Sequence, residues 1–243
     1  MTQELLAIAI DRFPPLEQHT VTIAGVDQGR HQDWITITRY WLKGFKVLQE
    51  GRHKVWVYQA ESSTDNPLLS LEQAEREIVY IGAVNRKDIL KMLSKYDVDY
   101  GFIDNEPDIP DAYQLSTVTP LKLADQKQNL FKVVNPIQIM GGSMAIEGYG
   151  IDAEYFKDRV LHSFIDQKVS MVASDLNDRS PNSVVRHMTS PEKDLENNVW
   201  VRPKDKNDDC FFATMFCEAA THQWVIDKIA NYQTSVLWYT KVF

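Results

Sequence analysis

Acidic residues stand at three places where an apolar segment gives way to a polar one. Asp27 ends "VTIAGVD", Asp104 ends "VDYGFID", and Asp208 and Asp209 open "DDCFFATMFCEAA". Carboxylate oxygens are the donors that hard divalent cations take. Each position also has a plain explanation. An Asp followed by Gln-Gly at a strand end suits a turn, Asp104 suits a turn or a helix cap, and acids in a first helical turn are favoured by the helix dipole. Their combination carries more. If the strands bearing Asp27 and Asp104 are parallel neighbours, their C-terminal ends meet where open α/β sheets place their sites. A helix packed across that sheet can add Asp209, with Asp208 as the alternative. Successive helical residues diverge by about 100°, so one of the two is expected to face the sheet. Three carboxylates on a dry sheet end repel one another unless a cation lies among them, and Mg²⁺ or Mn²⁺ fits that role.

The elements that must position these acids are visible as periodicities. Residues 21–27 read as a buried strand, 34–43 as an alternating second strand, and 53–62 as a third, which together make an antiparallel meander. Residues 85–96 carry Ile89, Leu90, Leu93 and Tyr96 at helical spacing, and 98–104 form a fourth strand. Strand, helix and strand in succession imply a parallel crossover beside the first strand. A short helix is predicted in "IPDAYQLS". Residues 131–140 read as an extended stretch or strand pair, with Pro136 favouring an edge. Asp152 is positioned to cap a helix over 152–166, and a long final helix starts near Asp208. The fold class is therefore α/β. Residues 1–20 read as a lead-in or the remnant of an interdomain connection, and 21–243 as one domain.

Composition narrows the function. With 44% hydrophobic and 25% charged residues the chain is an ordinary globular protein. "LLAIAI" is too short to span a bilayer and lacks a preceding basic segment. Cys210 and Cys217 lie in one predicted helix, roughly 10 Å apart at 1.5 Å per residue, beyond disulfide reach. They are expected to be buried thiols of a reduced protein. The absence of GxxxxGK[ST] argues against an ATPase. A net charge of -8 argues against binding nucleic acid by bulk electrostatics, though not against an enzyme that acts on it.

In order and placement these features resemble the ribonuclease H-like (retroviral-integrase-like) arrangement. More closely, the chain resembles the nuclease domain of the large terminase subunit of tailed bacteriophages. "AGVDQG" is similar to the first-strand motif of that family, "FIDNEPDIPDAYQLS" to the segment after its fourth strand, and "NDDCFFATMFCEAA" to its C-terminal helix. The resemblance implies a mixed central sheet, an antiparallel three-strand meander plus parallel strands, flanked by helices. It implies a metal-dependent endonuclease that cuts double-stranded DNA with little sequence preference during viral genome packaging. By the same resemblance Asp27, Asp104 and Asp209 are the catalytic, metal-binding acids, with Asp208 as a further candidate, and two Mg²⁺ or Mn²⁺ ions are the cofactors. Many relatives place another Asp or His one turn after the third acid, where this chain has Phe212.

The implied partners are double-stranded DNA, a terminase ATPase domain expected to lie outside this chain, the small terminase subunit and the portal, in the cytoplasm of an infected bacterial host and without a membrane. Lys43, Lys46, Arg52 and Lys54, together with His187, are candidate DNA contacts. Their plain alternatives are a charged strand edge that resists pairing and, for His187, a helix-surface or cap position. A resolvase- or transposase-type nuclease of the same fold, or an inactive interaction module, are the competing readings. The acidic balance leads to one expectation in solution. Filter binding to plain duplex DNA should show a dissociation constant above about 1 μM at physiological salt, because few cations are available to release counterions. Nanomolar affinity would contradict it.

Overall fold

In the computed structural model, residues 1–240 are described apart from 31, 51–52, 59–66, 128–129, 131, 142–143, 173, 179, 195, 198 and 202–206. Side chains are also described except at 46–50, 53–57, 67, 69–70, 144 and 230–240. The elements in chain order are α1 (Gln3–Asp11), β1 (Val21–Asp27), β2 (Asp33–Trp41), β3 (Phe45–Glu50), β4 (His53–Tyr58), α2 (Pro67–Glu72), β5 (Glu75–Val84), α3 (Ile89–Lys95), β6 (Tyr100–Asp104), α4 (Ile109–Val118) and β7 (Leu121–Lys127). They continue with β8 (Val134–Gly141), β9 (Met144–Asp152), α5 (Ala153–Ile165), β10 (Val169–Met171), α6 (Val184–Thr189), β11 (Glu192–Asp194), β12 (Val199–Val201) and α7 (Asp209–Thr240).

Among the described residues, eight strands form one sheet in the order β10-β5-β2-β1-β6-β7-β9-β8. β1, β2 and β5 are antiparallel neighbours, and β6 and β7 run parallel to β1. This is a mixed sheet of antiparallel and parallel strands, with β1 inside it. β1 is apolar along its length because both faces are covered. On one face Val21 and Ile23 join a core with Phe102, Phe156, Phe211 and Phe216 from β6, α5 and α7. On the other, Ala24 and Val26 pack with Ile89 and Leu93 of α3 and Ala112 of α4. Pro136 lies on β8, the edge strand, where its missing N–H does least harm. Asp152 caps α5 by accepting from the Tyr155 N–H at 3.1 Å. Leu6 and Ala9 of α1 are buried in the core with α5 and α7.

The meander differs from the sequence expectation in its third member. Among the described residues β4 pairs only with β3, as a separate two-stranded hairpin, and β5 takes the place beside β2. Both segments have strand character. "EREIVYIGAV" is the longer, and it alone returns across the full length of β2, from Asp33–Val84 to Trp41–Glu75. The local pattern marks strands without saying which of two candidates a neighbour accepts.

The tightest contact in the sheet is backbone on backbone. A Cβ on Gly25 would lie 2.0 Å from the Ala213 carbonyl oxygen and 2.3 Å from the Cys217 nitrogen, so α7 rests directly on β1. Cys210, Ala213, Cys217 and Ala220 make that face of the helix small enough to allow it. Both thiols are free and buried, and burial pushes the Cys217 thiol up to about 12. A second tie crosses the same interface. Glu218 of α7 accepts from Arg76 of β5 and, at 3.0 Å, from the Tyr40 hydroxyl of β2, while Arg159 of α5 stands 3.8 Å from its other oxygen. Burial alone would raise the Glu218 carboxyl. The two arginines outweigh it and hold the group below the ordinary glutamate range.

Two variants test this interface. Gly25→Ala should leave little folded protein, as read by circular dichroism and yield, because the backbone of α7 must move. Glu218→Ala should cost about 3–5 kcal/mol in urea denaturation at pH 7, because it strands a buried arginine. The Glu218 contribution is complete above the ordinary glutamate range and is lost as the pH falls through the lower folded-state value. The difference between wild type and variant should therefore shrink only in strong acid.

Candidate metal centre

Strand periodicity decides which face Asp27 takes. Val21, Ile23 and Gly25 face α7, so Asp27 does too. On β6, Phe102 faces the same core, which turns Asp104 to that side as well. The parallel ladder between β1 and β6 runs to Val26–Ile103, and the two acids follow it side by side. Helix α7 runs antiparallel to β1, with Cys217 Sγ donating to the Ile23 carbonyl at 3.4 Å and Ala213 over Gly25. Four helical residues and two strand residues each advance about 6 Å. Asp209, one turn before Ala213, therefore reaches the level of Asp27.

The electrostatics report the same gathering. Burial raises the Asp27 carboxyl well above the ordinary aspartate range, and Asp104, Asp209, Asp208 and Asp33 raise it further. Burial also pushes Asp104 up to about 7, with Asp125 and Glu106 adding to the rise. The backbone N–H groups of Glu106 and Asn105 oppose it, the former donating to Oδ1 at 3.3 Å. Asp104 and Asp208 are buried, and the Asp209 side chain is 27% exposed. Both Asp208 and Asp209 act electrostatically on Asp27. Asp208 stands just before the helix, where the 100° helical divergence does not apply, and only its carbonyl enters the ladder, accepting from Phe212 N–H.

Residues that the sequence did not single out hold the loop after β1. Gln28 is buried and donates from Nε2 to the Asp104 carbonyl at 2.6 Å, tying β1 to β6. Arg86 grips both oxygens of the buried Asp33 at 2.9 and 3.0 Å, donates to the Gly29 carbonyl at 3.3 Å and reaches Asp111 of α4 at 2.7 Å. "NRKD" and "HQDW" carry these partners without any local sign that they meet.

His187 is neither a surface residue nor a DNA contact. Its side chain is 0% exposed, stacked on Trp34 with ring centroids 4.0 Å apart, and its Nδ1 lies 3.1 Å from Asp209 Oδ2. Helix α6 is short and lies against α7, burying Val185, His187 and Met188. Phe212, one turn after Asp209, is half-buried with Lys157 Nζ 4.8 Å from its ring centroid. Lys43 follows the end of β2 that pairs with Val21, roughly 20 Å along the strand from Asp27, and lies apart from the acids. Lys46, Arg52 and Lys54 have side chains outside the described residues.

Carboxylate oxygens gathered at one sheet end are the donor chemistry that Mg²⁺ or Mn²⁺ takes. Among the described residues no three His, Cys, Asp or Glu side chains close into a ready-made coordination shell. By charge and donor type the cluster suits a divalent cation, and Asp27, Asp104 and Asp209 are the residues that would hold one.

No protein-family model and no curated protein matches the chain. Among solved structures it is similar to the large terminase of bacteriophage HK97, with a TM-score of 0.45 and 10% identity, covering 90% of this chain and 42% of that one. It is also similar to the yeast mitochondrial Holliday junction resolvase Ydc2, with a TM-score of 0.40 and 9% identity, covering 98% of this chain and 92% of that one. The chain spans less than half the length of that terminase.

The raised Asp104 value gives a stability test. A carboxyl whose folded value exceeds its unfolded one favours folding when protonated, so the metal-free protein should lose stability as the pH rises from about 4 to 7. Asp104→Asn should therefore melt higher than wild type at pH 8 without metal, by an amount on the order of 2 kcal/mol, and equally at pH 4. Millimolar Mg²⁺ should raise the melting temperature of wild type and not of the variant.

Proposed function

We propose that the chain is a divalent-metal-dependent endonuclease that hydrolyses phosphodiester bonds of double-stranded DNA with little sequence preference. The gathering of Asp27, Asp104 and Asp209 at one end of the central strands carries this reading. The order of its sequence motifs supports a role like that of a terminase nuclease in genome packaging. The partners on that reading are an ATPase-bearing segment, a small subunit and a portal.

The roles of the side chains follow from their supports. Asp27 sits on the strand locked by Gly25 beneath α7, so its carboxylate has the least freedom of the three. Asp104 is oriented by the Glu106 N–H, and its backbone is tied to Gln28. Asp209 is more exposed than Asp104 and stands next to His187. Divalent ions held there would supply Lewis-acid activation of phosphate and water. The protein's own part is to hold three oxygen donors at fixed positions and to keep the Asp33–Arg86 loop from collapsing onto them.

Supercoiled plasmid incubated with Mn²⁺, Mg²⁺ or EDTA tests the reading. Wild type should nick and linearise it only with metal. Asp27→Asn, Asp104→Asn and Asp209→Asn should each lose at least about a hundredfold in rate, more than loss of a supporting group costs. Cutting of a cruciform in preference to linear duplex would favour a resolvase-type activity, and no cutting in any metal would overturn the proposal.

A further inference from the structure

We propose that His187 is a further metal ligand, its Nδ1 and Asp209 Oδ2 binding one divalent cation at the acidic cluster. The inference rests on the metal-binding part of the reading above and adds a nitrogen donor from α6, an element that carries none of the three acids.

The hydrogen bonding of the ring carries the argument. His187 Nε2 lies 2.8 Å from the Pro181 carbonyl oxygen, which can only accept, so Nε2 carries the proton. A neutral imidazole has one N–H, and Nδ1 is left with a lone pair. That nitrogen is buried and makes no hydrogen bond. A buried nitrogen without a partner is costly and calls for an explanation.

Its neighbour is a carboxylate oxygen at 3.1 Å, and the approach is not directed as a hydrogen bond. Two acceptors at that spacing repel when nothing lies between them. Donors at right angles on an octahedral ion with bonds of about 2.1 Å stand about 3 Å apart, with lone pairs converging on the ion rather than on each other. The spacing matches.

The surroundings are those of a held ligand. Ligating imidazoles nearly always donate their other N–H to a carbonyl or carboxylate, as Nε2 does here. Trp34 fixes the ring plane, and Trp34 is the cross-strand partner of Asp27. His187 thus supplies from a neighbouring helix a donor that the Phe212 position on α7 cannot. The alternative is an imidazolium paired with Asp209, which needs no metal.

Pulsed electron paramagnetic resonance of the protein loaded with Mn²⁺ alone separates the two. Wild type should show ¹⁴N modulation from a directly bound imidazole, and ¹⁵N-histidine labelling should convert it to the ¹⁵N pattern. His187→Gln should abolish the modulation and weaken Mn²⁺ binding about 10- to 100-fold by calorimetry. His162→Gln, an exposed histidine on α5, should leave both unchanged. If His187→Gln does not fold, survival of the modulation when each of the other five histidines is replaced in turn carries the same decision. Mn²⁺ bound with no nitrogen coupling would overturn this inference and leave the nuclease reading standing. No Mn²⁺ binding by wild type would overturn both.

Discussion

The contact of α7 with β1 at Gly25 is the constraint on which the rest of the molecule depends. A helix can approach a strand to backbone distance only where the strand lacks a Cβ and the helix presents small side chains. Gly25, Ala213 and Cys217 meet both conditions. Once that contact is set, the helix has little freedom to slide, and the residue one turn before it is held opposite the residue two places along the strand. Asp209 and Asp27 occupy those positions. The Arg76–Glu218–Tyr40 cluster ties the same helix to β2 and β5 farther along, so its direction is specified as well as its height.

The fold stabilises the far end of this interface with apolar contacts and a buried ion pair, and leaves the near end with unbalanced negative charge. Asp27 is raised by burial and four carboxylates, and Asp104 by burial chiefly. Such a cluster lowers the stability of the metal-free protein at neutral pH. The surrounding framework holds it open. Gln28 bridges β1 and β6, Arg86 clamps Asp33 and Gly29, and Asp108 caps α4 by accepting from the Asp111 N–H. Arg86 is thus committed to Asp33 and Asp111, two carboxylates outside the set proposed to hold metal.

The central strands and their neighbours show how far local pattern reaches. Residues 21–27, 98–104 and 152–166 have periodicities that survive into the structure, because a buried strand or an amphipathic helix imposes its spacing on its own residues. β5, β7 and β9 were not distinguished, since moderately polar strands beside a central one look like the segments around them. The segment 53–62 reads as the third strand of the meander because a strand has the same alternation wherever it pairs, and in the structure β4 pairs with β3 instead. Helical geometry does not separate Asp208 from Asp209, since the helix begins between them.

The sequence by itself determined the α/β class, the buried thiols and the acids that end two strands and open the last helix. Each follows from residues close together along the chain, where covalent spacing sets the geometry. The tertiary structure decided that these acids share one place, that β5 rather than β4 completes the antiparallel trio, and that His187 turns inward against Trp34 and Asp209. Those depend on which surfaces pack together across about 180 residues of chain, as between Asp27 and Asp209, and spacing along the sequence does not encode packing of that range.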